Sequence, residues 1–436
     1  MQKKQDEELE NSSVGFFFLF LYSIAIFIRP HEWNYTTVEP IPLGRYLLIA
    51  AFVFYLFFQK KKIWGYQCWC LLGVFLIIPL SGLKNGWLGG GVFQAIDFFI
   101  YSLLPFLLYA SLINSSKKHH AIFLVFTVAS LVMLHHGISQ KMSVDGTGWS
   151  GIQLSVGTRI TFLGFFKDPN DLSMFFVMNI PVMFYLRHSA TNWFSKFFFS
   201  LMIIALLVGI YLANSRGAMV ALFGLGLTYC FFNWGKLKTL FFSLVSIPIV
   251  VIIMSVFRTI DLDDGSTSGR IRAWYQAIQM FKSSPLIGVG KENFDKHHSL
   301  TAHNSFLLII AELGAIGYAL WFFTIALTMW MLYKAFNLEP EKNKGILADP
   351  KVRQDVILAK TLFFSLVAFL YTAFFLSRSY IVFLYVFLGL SYAVFIRLAR
   401  QIPELQEVTA SKNLLLIFMA APLTMILLYL LVKILL

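Results

Sequence analysis

Apolar runs long enough to cross a lipid bilayer recur along the whole 436-residue chain. They lie near residues 14–28, 45–59, 65–82, 92–113, 121–138, 172–186, 196–213, 217–233, 239–257, 303–333, 359–376, 380–397 and 413–435. A helical span needs about 20 apolar residues, within a range of about 17–25. Backbone N–H and C=O groups find no water in lipid, so each run must satisfy them internally as a helix. The expected fold is all-α: a polytopic integral membrane protein of 12–13 transmembrane helices, one membrane domain over 1–436. The runs at 14–28, 45–59 and 172–186 are short and are expected to tilt or lie at the interface. Composition excludes soluble domains, since 58% of residues are hydrophobic and 13% charged, against roughly 25% charged in soluble proteins. Met1–Ser13 carry Lys3, Lys4 and four acids with no small-residue cleavage site after them, so the first run is expected to remain as a span.

Lysine and arginine in the loops set orientation. Lys60-Lys61-Lys62, Lys117-Lys118, Arg187 with Lys196, Lys236 with Lys238, the cytoplasmic loop 335–358 and Arg397 with Arg400 alternate with the spans, so thirteen crossings put them all on one side. That side is expected to be cytoplasmic. The two long loops, 139–171 and 258–302, then face outward. The net charge of +13 divides into +10 inside and +3 outside. Eight of the twelve arginines lie outside: Arg29, Arg45, Arg159, Arg216, Arg258, Arg270, Arg272 and Arg378. Guanidinium is suited to bidentate phosphate contacts, whereas lysine acts as a point charge. This distribution points to an extracytoplasmic phosphate ligand; the competing reading is snorkelling to lipid headgroups.

Asn214-Ser215-Arg216-Gly217 joins two apolar runs with almost no loop, which sets Arg216 at or just below the outer surface. Ionisable residues there are expensive and mark function by default. The alternative is an arginine that bonds the last carbonyls of the 196–213 helix. The outer loop reads Ser268-Gly269-Arg270-Ile271-Arg272-Ala273-Trp274, then Pro285-Leu286-Ile287-Gly288-Val289-Gly290, then Ala302-His303-Asn304-Ser305-Phe306. Ile271, Trp274, Ile278 and Phe281 fall at helical spacing, so a short amphipathic helix is expected over 270–281. Gly288 and Gly290 are expected to form a tight turn with exposed amides. His303 opens a long span, where it can act as a general base or simply cap the helix.

Glu312 is a carboxylate inside that span, expected to orient a partner or to pair with an arginine. Asp168 or Asn170 reads as the N-cap of the next span. Ser377-Arg378-Ser379-Tyr380 forms a tight outer turn, and Asp97 is expected to pair with one of the outer arginines. Cys68, Cys70 and Cys230 read as buried thiols in the inner half. No Walker loop and no HExxH occur, and the pairs His119-His120 and His297-His298 do not support a metal site. No cofactor and no metal are expected, so a donor must arrive already activated.

The set Asn214-Ser215-Arg216-Gly217, Ser268-Gly269-Arg270 with Trp274, Pro285 with Gly288-Val289-Gly290 and Phe294, and His303-Asn304-Ser305 through Glu312-Leu313-Gly314-Ala315-Ile316-Gly317 resembles the O-antigen ligase/polymerase superfamily. The resemblance covers about residues 160–335. Arg29-Pro30-His31-Glu32 and Leu376-Ser377-Arg378-Ser379-Tyr380 look like the subgroup of O-glycosylation ligases associated with exosortase systems. The resemblance implies a GT-C type glycosyltransferase of the bacterial inner membrane. Such enzymes move a glycan from a polyprenyl-diphosphate carrier to an acceptor hydroxyl on the periplasmic face, in lipopolysaccharide and polysaccharide biosynthesis. By position, His303 becomes the base, and Arg216 and Arg270 the pyrophosphate ligands. Arg159, Arg272 and Arg378, with Asn304, Glu312, Asp168 and Asn170, complete the candidate set for pyrophosphate and glycan. Lipid A core, a protein hydroxyl and a growing glycan all remain open as acceptor. A polymerase of the same superfamily is the alternative, and a lipid-linked glycan flippase the alternative of another class. Transporters carry internal repeats and broken helices, neither of which is expected here.

Overall fold

A computed structural model describes residues 2–33, 42–59, 62–244, 265–339 and 342–436, with side chains from 13 and, after the second long gap, from 269. Arg258, Lys60, Lys61, the 239–257 span beyond residue 244 and the start of the 258–302 loop lie outside the described residues. Among the described residues no strand occurs, only the isolated bridges Thr147–Gln153 and Ser155–Arg159. Nine helices there are long and apolar enough to cross a membrane. The chain is an all-α polytopic membrane protein.

Two compact units share the chain. The first comprises residues 1–61, 112–261 and 361–372, and the second 62–111, 262–360 and 373–436.

The first unit contains α1 (Gln2–Phe27), α2 (Leu43–Phe58), α5 (Ser116–Met142), α6 (Pro169–Ser189), α7 (Trp193–Ala213) and α8 (Arg216–Trp234). Polar residues extend α1 and α6 well beyond their apolar runs, so the 172–186 run lies within a helix of 21 residues, while Ser13–Phe27 and Leu43–Phe58 are short apolar helices, as expected. Helix starts follow side-chain chemistry. Asp168 caps α6 by accepting from Asn170 N, Asn192 caps α7 by accepting from Ser195 N, and Ser215 caps α8 by accepting from Ala218 N. Each cap satisfies an N–H that the helix itself leaves without a partner.

The second unit contains α3 (Tyr66–Lys84), α4 (Leu88–Leu112), α9 (Gly265–Ser283), α10 (Ser305–Phe336), α12 (Val382–Ala399) and α13 (Ser411–Leu435). Helix α11 (Pro350–Ala373) contributes to both units. Helices α3 and α4 approach through Gly82 and Gly91, where a Cβ on Gly82 would lie 2.8 Å from Gly91 Cα. Small residues allow such close backbone contact in membranes. Helix α12 is 83% buried and α13 only 17%, which leaves α13 an apolar, lipid-compatible surface.

Helix α10 is broken, contrary to the expectation of continuous helices. Gly314 adopts φ 65° and ψ −166° within it. The freed groups are bonded by the Pro285–Gly290 segment. Val289 N donates to Ala311 O at 3.0 Å and Gly290 N to Glu312 O at 2.9 Å, while Ala315 N donates to Pro285 O at 2.8 Å and Ile316 N to Leu286 O at 3.1 Å. The turn at Gly288 and Gly290, expected to expose its amides, instead spends those of Val289 and Gly290 on the helix break, and Gly288 N donates to Ser284 O. A break in lipid is tolerable only when its backbone groups find partners in protein. The apolar loop residues supply them.

Candidate active site

In the first unit, the turn between α7 and α8 is held by one amide oxygen. Asn214, in the left-handed region at φ 47°, ends α7, and Ser215 caps α8. Asn170 Oδ1 accepts from Ser215 Oγ at 2.9 Å and from the Arg159 guanidinium at 2.7 Å. Asn170 is itself aimed by Asp168, whose Oδ1 accepts from both Asn170 N and Nδ2 at 2.9 Å. Arg159 Nε donates to the terminal carbonyl of α7, Ala213 O, at 2.9 Å. The capping role weighed for Arg216 thus falls to Arg159. Arg216 is half-buried at the first position of α8, and its guanidinium has no hydrogen bond or ion pair among the described residues. The positive end of the α8 dipole adds to its charge.

In the second unit, α9 extends the expected 270–281 helix to 19 residues and buries Ala273, Trp274, Ala277, Ile278 and Met280. Arg270 is half-buried and Arg272 exposed. The start of α9 reaches the segment before His303, since a Cβ on Gly269 would lie 3.1 Å from Leu300 Cδ1. His303 sits at φ 46°, just ahead of the α10 cap. That cap is Asn304, which is buried and accepts from Phe306 N at 2.9 Å and Leu307 N at 3.0 Å. Its Nδ2 has no partner among the described residues. The 376–380 turn is stapled to the same helix start. Ser305 Oγ donates to Leu376 O and accepts from Arg378 N, and Ser379 Oγ donates to Ser305 O at 2.8 Å. Arg270, His303, Asn304 and Arg378 therefore gather at one end of the second unit.

Glu312 lies deeper, 3% exposed. Its carboxylate accepts from Glu292 N at 2.9 Å and from Tyr380 OH at 2.8 Å, not from an arginine. Burial, and then the Glu312 carboxylate, holds the Tyr380 phenol well above its ordinary range, so it stays a donor. Lys291 is buried beside it, ion-paired with Glu292 and 5.1 Å from the Tyr380 ring. The only sequence signal for this lysine is its place after Gly288-Val289-Gly290. Asp97 forms no ion pair with any arginine among the described residues; Arg29 and Arg159, two of the arginines expected as its partners, bond Glu32 and Asn170 instead. Cys68 and Cys230 are buried and Cys70 half-buried, all unbridged. No three His, Cys, Asp or Glu side chains converge as metal ligands among the described residues.

The candidates thus fall into two groups. Arg159, Asp168, Asn170 and Arg216 surround one turn of the first unit, and Arg270, His303, Asn304 and Arg378 one end of the second. No curated protein matches the chain. Residues 201–322 match a family model described as O-antigen ligase, a segment that includes Arg216, Arg270, His303 and Glu312.

Proposed function

We propose, from the match of residues 201–322 to the O-antigen ligase family model, that the chain is a ligase-type membrane glycosyltransferase of the O-antigen ligase/polymerase superfamily. Its donor is a glycan on a polyprenyl-diphosphate carrier, its acceptor a hydroxyl, and its place the periplasmic face of the inner membrane. The acceptor oxygen attacks the anomeric carbon, and the bond from that carbon to the diphosphate oxygen breaks. The acceptor proton passes to His303, acting as general base. Negative charge builds on the departing diphosphate, and Arg216 and Arg270 stabilise it. Arg159, Asp168 and Asn170 position the Arg216 turn, while Asn304 and the Arg378 segment position His303. Arg272 faces solvent, where it meets headgroup or carrier phosphate. Glu312 acts from within, through Tyr380 and the 288–292 segment.

One observation carries this reading. Arg216 stands at a helix N-terminus with its guanidinium uncommitted, while its neighbours Arg159 and Asn170 are occupied in holding the turn. A cation kept half-buried without a protein partner is matched to an anionic ligand. The break at Gly314 resembles a transporter device, but its freed groups are bonded by 285–290 rather than turned toward a ligand.

Purified protein in detergent, given a polyprenyl-diphosphate-linked glycan and a hydroxyl acceptor, should form conjugate, and His303→Ala should not. A ladder of lengthening glycan would instead identify a polymerase. Absence of product, with translocation of the lipid-linked glycan in sealed vesicles, would overturn the reading in favour of a flippase.

A further inference from the structure

Two tryptophans from distant segments meet at the end of the first unit that carries Arg216. Trp33 follows α1 and Trp149 lies between α5 and α6; their ring centroids are 5.1 Å apart and their planes at 77°. Both indole N–H groups are spent on protein acceptors. Trp33 Nε1 donates to Ile28 O at 3.1 Å, and Trp149 Nε1 to His135 Nδ1 at 3.0 Å. Beneath them lies His136, fully buried, with Nδ1 bonded to Thr161 O at 3.0 Å and Nε2 to Ser150 Oγ at 2.6 Å. The His136 ring packs edge-on against Trp149 at 5.1 Å. The two indoles are therefore rigid. Trp33 still keeps 36% of its surface exposed.

Exposed tryptophans in a membrane protein ordinarily belong to the interfacial belt, with the N–H directed to headgroups and water. Trp64, Trp69, Trp193 and Trp234 fit that role: all are exposed, and their indole N–H groups have no partner among the described residues. Trp33 and Trp149 do not fit it. With both N–H groups spent on protein acceptors, the pair has only ring surface left for a ligand, and the ring face carries the negative lobe of the quadrupole. Polarised C–H bonds of a pyranose stack on such faces. The flanking polar groups carry little net charge, because Arg29 is ion-paired with Glu32 and lies against Phe165. An aromatic surface with a few fixed polar groups and balanced charge suits a neutral polyol better than a phosphate. The segment that carries Trp149 continues to Arg159, whose bonds to Ala213 and Asn170 hold the Arg216 turn.

We infer that Trp33 and Trp149 form a sugar-binding platform for the glycan of the lipid-linked donor, an inference that rests on the donor proposed above. The diphosphate then lies toward Arg216 and the first sugars over the two indoles. Two probes separate the possibilities: a polyprenyl-diphosphate-linked disaccharide and the same polyprenyl diphosphate without sugar, each titrated against the full chain in detergent. The wild type should bind both, the disaccharide carrier more tightly. Trp33→Ala should weaken the disaccharide carrier about tenfold and leave the bare carrier unchanged, while Trp33→Phe, which keeps a ring, should restore most of the affinity. The melting temperature of each variant, measured beside the titrations, reports folding. Equal loss for both carriers would make Trp33 a lipid contact, and no loss for the disaccharide carrier would remove the platform; either result overturns the inference while leaving the donor reading in place. Failure of the wild type to bind either probe would overturn the donor reading and the platform with it.

Discussion

Arg159 donates to Asn170 Oδ1 at 2.7 Å, and Ser215 donates to the same oxygen at 2.9 Å. One side-chain amide thereby ties the segment before α6 to the turn that presents Arg216. Asn170→Ala would leave a buried-side guanidinium and a capping hydroxyl short of an acceptor, at a cost of about 1–3 kcal/mol. Thermal unfolding in detergent should show the lowered midpoint, and the transfer rate should fall with it.

Arg216 itself makes none of these bonds, so its replacement should spare stability and strike activity. Removal of one preorganised donor to developing charge costs about 10²–10³ in rate. Arg216→Lys keeps the charge but not the planar fork and should lose most of that factor. Donor turnover at unchanged melting temperature is the measurement, and full turnover by Arg216→Lys would remove the leaving-group role.

Gly288 and Gly314 lock each other's conformation. Both have positive φ, and a Cβ on Gly288 would overlap the carbonyl of Glu312 as one on Gly314 would overlap that of Leu286. Backbone on both sides leaves no side chain to yield. Gly314→Ala and Gly288→Ala should each destabilise by well over the roughly 1–2 kcal/mol of left-handed strain alone. Gly86→Ala provides the comparison, since Gly86 has φ +76° with nothing within 4 Å of its Cβ position. Relative melting temperatures of the three variants test the difference.

Tyr380→Phe removes the hydroxyl that donates to Glu312 at 2.8 Å. The buried carboxylate then keeps the Glu292 amide and loses its second donor, which should cost about 1–3 kcal/mol. A double-mutant cycle with Glu312→Ala, which removes the acceptor, should show strong coupling, because the two side chains share one bond.

His31 supplies a pH dependence. Burial, opposed by Glu32 and assisted by Arg29, lowers its pKa from 6.5. Folding thus favours the neutral ring, and the unfolded chain binds more protons below about pH 6.5. The contribution is complete above that pH and is lost as pH falls through the depressed folded value. Melting temperature measured from pH 8 down to pH 5 should fall less steeply in His31→Gln than in the wild type.

Several elements were legible in the chain because their causes are local. Asp168, one of the two residues expected as the cap, caps α6, and α9 follows the spacing of Trp274 and Ile278. The expectation for Asp97 failed because an ion pair joins distant segments, and nothing near residue 97 encodes where the arginines go. Gly288 and Gly290 suggest a turn with open amides; their neighbourhood in sequence gives no sign of the α10 break that takes the amides of Val289 and Gly290. Trp33 and Trp149 are alike in sequence to the interfacial tryptophans, and only the protein acceptors of their N–H groups separate them.

The sequence by itself determined that this chain spans a membrane as helices, because long apolar runs must bond their own backbone wherever water is absent. It also carries the motifs that resemble the O-antigen ligase/polymerase superfamily. Tertiary structure alone decided which polar groups are spent on architecture and which remain for a ligand. Arg159 and Arg216 share a residue type and the same expected side of the membrane. One is consumed by Asn170 and the Ala213 carbonyl, and the other is not. That division depends on which segments meet in space, and a hydrogen bond over about 3 Å is decided by that meeting rather than by neighbours along the chain.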